Sequence, residues 1–125
     1  MDVERQVEYW RTGSVEDLAA AEALAVRHPR HALFLAHLAL EKVLKAHVTR
    51  TTGDVPPRIH DLLRLVDLAG LSVSSEQRTF LARFQQYCLA GRYPDLQRGQ
   101  PEPAAVAADL AHAREMHSWL LSLLS

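Results

Sequence analysis

The sequence predicts an all-α protein, and two observations carry that prediction. Runs of β-branched residues with period two are absent, while Ala, Leu, Glu and Arg dominate and apolar residues recur at spacings of three and four. Prolines and glycines divide the chain into helical blocks joined by short connections, which favour antiparallel neighbours. The expected architecture is an up-and-down antiparallel helical bundle of four main helices plus a short helix, built as one domain over residues 1–125.

The first block covers roughly residues 2–27, with an apolar stripe of Val7, Trp10, Leu18, Ala21 and Leu24 or Ala25. Gly13-Ser14 divides it in one of two ways. Either Ser14 N-caps a fresh helix with Glu16 and Asp17 in its first turn, or the helix continues through Gly13 at a cost of about 1 kcal/mol. Pro29 breaks the block, and a second helix runs from Pro29 or Arg30 to Arg50, before "TTGDVPP". A short third helix at 59–69 ends at Gly70. Ser74 or Ser75 caps a fourth that reaches about Leu89, with Phe80, Leu81, Phe84 and Cys88 facing inward. The last, at 103–124, aligns Val106, Leu110, Ala113, His117, Leu120 and Leu124.

Composition narrows the function classes. Hydrophobic residues at 48% exclude a disordered chain, and a net charge of −1 provides no general attraction to polyanions. The single cysteine, Cys88, supports neither an intramolecular disulfide nor a C-x-x-C motif, so a reducing, cytoplasmic setting is expected. The charged start "MDVERQVEYW" is unlike a signal peptide, and no apolar run is long enough to cross a membrane.

The second helix, "HALFLAHLALEKVLKAHV", is apolar nearly all round, which places it centrally in the bundle or at a homodimer interface. Arg30, His37, Glu41 and Lys45 are near neighbours on adjoining flanks. Glu41 precedes Lys45 by four residues, the favourable order for a helix ion pair. Arg30 and His37 have R-x6-H spacing and are the candidate catalytic pair: arginine would stabilise charge on a phosphodiester while histidine moved the proton. The contrary reading makes His37 a hydrogen-bonded core residue. His47 and His117 also fall on apolar faces, and no His-x3-His or Glu-x-x-His pair begins a metal site. No metal and no cofactor is expected.

"HALFLAHLALEKVLKAHV", then "PPRIHDLLRLV", then "GRYPD" together resemble the HEPN family, the higher eukaryote and prokaryote nucleotide-binding domain, from about Val15 onward. In that likeness Glu41, Lys42, Lys45 and Ala46 match the family's Glu-Lys-x-x-Lys-Ala run. His60, Asp61 and Leu62 match its His-Asp-Leu, and Arg92, Tyr93, Pro94 and Asp95 its Arg-Tyr-Pro-Asp. The resemblance implies a nucleotide- or partner-binding site at Lys42, Lys45, His60, Asp61, Arg92, Tyr93 and Asp95. Asp61 also suits a helix cap, and Arg92 and Tyr93 suit phosphate clamping and base stacking. The alternative is that Tyr93 packs while Arg92 pairs with Asp95 or a buried glutamate.

The resemblance further implies a small nucleotidyltransferase as partner, or action as a metal-independent endoribonuclease toxin on RNA. Family ribonucleases carry R-x4–6-H near the start of the last long helix, yet neither Arg92 nor Arg98 has a histidine at that distance downstream. The leading expectation is therefore a non-catalytic binding module that forms a homodimer. Its rivals are the ribonuclease and a purely structural interaction protein.

Overall fold

The computed structural model describes residues 1–88 and 101–125. Among the described residues it contains five helices and no strand: α1 (Val3–Leu24), α2 (Pro29–Thr52), α3 (Leu62–Ala69), α4 (Ser75–Phe84) and α5 (Pro103–Ser122). The all-α bundle is as expected.

Local chemistry sets the helix ends. Asp2 caps α1 by accepting from the Arg5 N–H, and Pro occupies the first helical position of α2 and α5, where its missing N–H costs no bond. Ser74, not Ser75, caps α4 in a reciprocal box with Gln77. Gly53 and Gly70 end α2 and α3 with φ of 70° and 67°, the left-handed conformation that glycine adopts without a Cβ penalty. Of the two sequence readings at Gly13, the continuous helix is the one that forms: α1 passes through Gly13-Ser14 unbroken.

Several boundaries differ from expectation: α2 runs on to Thr52 rather than Arg50, α5 stops at Ser122 rather than 124, and three others differ for visible reasons. α1 ends at Leu24 rather than near residue 27, with 25–27 forming a turn into His28. α3 begins at Leu62 rather than 59 because Asp61 is extended and serves as its cap. α4 ends at Phe84, where a turn at Gln85 precedes a further helical turn at 86–88; the expected end at Leu89 lies outside the described residues.

α2 is the axis of the bundle. Val43 to Thr49 are buried without interruption, which requires cover on every side of the helix. α1 packs along α2 most extensively, α3 and α5 cover its other flanks, and α4 rests on α3. The common core includes Val7, Leu33, Leu40, Leu44, Leu62, Leu65, Leu81, Phe84 and Leu120. Over residues 43–49 the girth of α2 is thus covered within the chain, while Phe34, Leu35 and Leu38 nearer its start stay half-buried. No described helix is long and apolar enough to cross a membrane.

Candidate functional site

The site forms where α2 passes the turn that precedes α3. Glu41 is 3% exposed and Lys45 6%, so two charges sit in the protein interior, where an unanswered charge would be costly. Each finds a partner: Lys45 Nζ donates to Glu41 Oε2 at 3.0 Å, and His60 Nδ1 meets Glu41 Oε1 at 3.0 Å. The Glu41 carboxylate therefore joins α2 to the α3 entry. Lys45 Nζ also lies 5.4 Å from the centre of the Trp10 ring on α1, a cation–π contact. The His60 side chain is 46% exposed. A buried carboxylate thus holds an imidazole that is itself nearly half exposed.

Lys42, one residue on, faces α1 instead. Its Nζ is 2.8 Å from Asp17 Oδ2, and its stem crosses the backbone at Gly13, where an added Cβ would come within 3.2 Å of Lys42 Cδ. The bare glycine gives that side chain room. Beside it runs a groove of about 460 Å³ lined by Arg5, Glu8, Tyr9, Thr12, Gly13, Glu16 and Lys42.

Asp61 adjoins His60 in sequence but turns the other way. Its Oδ1 accepts from the Leu63 and Arg64 N–H groups, so this carboxylate answers the first turn of α3. Arg30 stands half-buried in the first turn of α2, about 10 Å along the axis from His37. His37 is 1% exposed. Its Nε2 contacts Gln85 Oε1 at 3.1 Å, and its ring stacks parallel to Phe84. Gln85 Oε1 also accepts from the Leu62 N–H at 3.0 Å, so one amide oxygen ties α2, α3 and the end of α4. The structure brings Glu41, Lys45 and His60 together, sets Lys42 on the α1 side, uses Asp61 as the α3 cap, and places His37 one helical turn before Glu41 and Arg30 in the first turn of α2. Arg92, Tyr93 and Asp95 lie outside the described residues.

Three polar contacts between helices were not readable from the sequence. On the α4–α5 side, Arg83 donates through Nη1 and Nη2 to Asp109 at 3.2 and 2.6 Å, and the Tyr87 hydroxyl donates to the same carboxylate. Burial raises the Asp109 carboxyl, but Arg83 and Tyr87 outweigh it and leave the group below its ordinary range. Burial, reinforced by Asp109, pushes Tyr87 up to about 12. On the α1–α5 side, Ser14 Oγ donates to the Arg11 carbonyl at 2.7 Å and lies 2.9 Å from His117 Nε2. Further along α5, His47 Nε2 donates to the Leu120 carbonyl at 2.8 Å. Burial lowers both His47 and His117 below the ordinary histidine value. The apolar faces assigned to both rings were readable; their partners, more than seventy residues away, were not.

Among the described residues no three His, Cys, Asp or Glu side chains converge as a metal site would require. The family model described as HEPN domain matches residues 7–123, starting eight residues before the Val15 limit drawn from the motifs. No curated protein and no solved structure matches the chain.

Proposed function

This chain belongs to the HEPN domain family, and from that premise we propose that it is a binding module, acting as a homodimer, for a nucleotide or a partner nucleotidyltransferase. The observation that carries this reading is the half-exposed His60 ring held by buried Glu41. A side chain already fixed in place loses little freedom when a ligand docks. In this proposal His60 meets the ligand. Glu41 and Lys45 are positioning residues: Lys45 balances the carboxylate that orients the ring. Lys42 reaches the ligand by exchanging Asp17 for a phosphate oxygen, and Arg92, Tyr93 and Asp95 complete the site, with Asp61 capping α3 at its edge.

The test is the thermal midpoint of the full chain titrated with ATP, since a ligand that binds only the folded state stabilises it by mass action. The expected result is a rise in midpoint that shrinks in His60→Ala and in Arg92→Ala. A midpoint indifferent to ATP removes the nucleotide, and native mass spectrometry showing no second kind of subunit would then remove the partner as well.

One observation favours a second reading, the ribonuclease. Glu41 engages Nδ1 of His60 and leaves Nε2 to a substrate, the orientation a general base requires. Buried His37, bonded to Gln85, suits that role less well than His60. RNA cleavage abolished by His60→Ala but retained in His37→Gln would establish this reading in place of the first.

A further inference from the structure

α4 and α5 run antiparallel but approach closely at few backbone positions, so long side chains make the seam between them. At one end Arg83 pairs with Asp109, and the Arg83 guanidinium lies 5.8 Å from the centre of the Phe80 ring. The arrangement is an aromatic ring, a carboxylate and a cation. One turn along, Phe80 meets His112 edge-on with centroids 5.7 Å apart. Beyond that contact the seam opens into a groove of about 380 Å³ lined by Glu76, Phe80, His112, Glu115, Met116 and Trp119, with Gln77 at its wall.

Trp119, Glu76 and Glu115 repeat the aromatic and acidic parts of the first arrangement, and among the described residues no lysine or arginine lines the groove beside them. Glu76 and Glu115 are both exposed. Among the described residues neither carboxylate has a salt bridge, although the nearby Arg78, Arg83 and Arg114 all do, to Asp67, Asp109 and Glu22. Aromatic faces attract cations through their quadrupole, and carboxylates take the planar guanidinium fork in two parallel bonds. Of the common side chains, arginine satisfies both demands at once.

We propose that the α4–α5 groove docks an arginine-bearing segment of a partner protein, with the guanidinium against Trp119 and its N–H groups on Glu76 and Glu115. Charge complementarity selects the occupant: among the described residues the lining carries two carboxylates without a salt bridge and no lysine or arginine. The surface lies on α4 and α5, away from Lys45 and His60, and does not depend on what binds there.

The test is calorimetric titration of the full chain with a tri-arginine peptide, a tri-lysine peptide and free arginine amide, while following the NMR resonance of the Trp119 indole N–H. The expected result is saturable tri-arginine binding that moves this resonance, with tri-lysine weaker. The double variant Glu76→Gln, Glu115→Gln should bind tri-arginine at least about tenfold more weakly. The control double variant Glu8→Gln, Glu16→Gln removes the same charge from the groove beside α1 and should bind like the parent. Equal losses in both variants would reduce the effect to net charge and overturn the proposal, as would absence of binding. Free arginine amide binding as tightly as the peptide would overturn the partner segment in favour of a small-molecule site.

Discussion

Glu41 is the residue on which most depends. It is a buried anion whose two oxygens serve a lysine on its own helix and a histidine nineteen positions away. Glu41→Ala would leave Lys45 buried without its counter-charge and should cost about 3–5 kcal/mol in urea unfolding. A loss no larger than an exposed ion pair gives would show that water reaches the cluster. Asp61 makes a smaller, local contribution: Asp61→Ala removes the α3 cap and should cost about 1 kcal/mol by the same measurement. These residues also mark how far the site could be read in advance. The Glu41–Lys45 pair and the Asp61 cap follow from helix spacing and from position ahead of an apolar run. The Glu41–His60 contact does not, because a pairing across a loop is set by how α3 packs on α2, which no local pattern encodes. His37 illustrates the same limit: its burial was legible from its face, its bond to Gln85 was not.

At the level of the helices, starts were more legible than ends. Proline at the first position of α2 and α5 and serine ahead of α4 are local signals, and the structure uses each of them. The end of α4 answers instead to Gln85, whose side chain is held by groups on two other elements. Gly13 shows why the choice between one helix and two stayed open. Its backbone is helical, yet its missing Cβ makes room for Lys42 on the neighbouring helix, a packing reason invisible to propensity. Gly13→Ala offers α1 up to about 1 kcal/mol of helix propensity, and the obstructing atom belongs to a flexible side chain. The expected outcome is a thermal midpoint equal to or above the parent's. A clear fall would mean that the Lys42–Asp17 pair cannot move aside.

For the molecule as a whole, α5 joins the others through polar bonds as well as apolar contacts. His117 meets Ser14 of α1, and the Leu120 and Leu124 carbonyls accept from His47 and Arg50 of α2. Because burial lowers both histidines, the unfolded chain, with histidines near 6.5, takes up protons before the folded one does. Stability should therefore be full above about pH 6.5 and fall as pH drops through and below that value. Urea midpoints measured between about pH 7.5 and about 5.5 should show the fall, and His47→Gln with His117→Gln should flatten it; an unchanged slope would assign the effect to other groups. The central position of α2 has a consequence for synthesis. The most deeply covered helix is made second and receives part of its cover from α5, made last of the five. On the ribosome, α1 and α2 must wait as a hairpin with one apolar flank bare while some fifty further residues emerge. During that interval the nascent chain offers chaperones, or another copy of itself, the surface that the finished protein conceals.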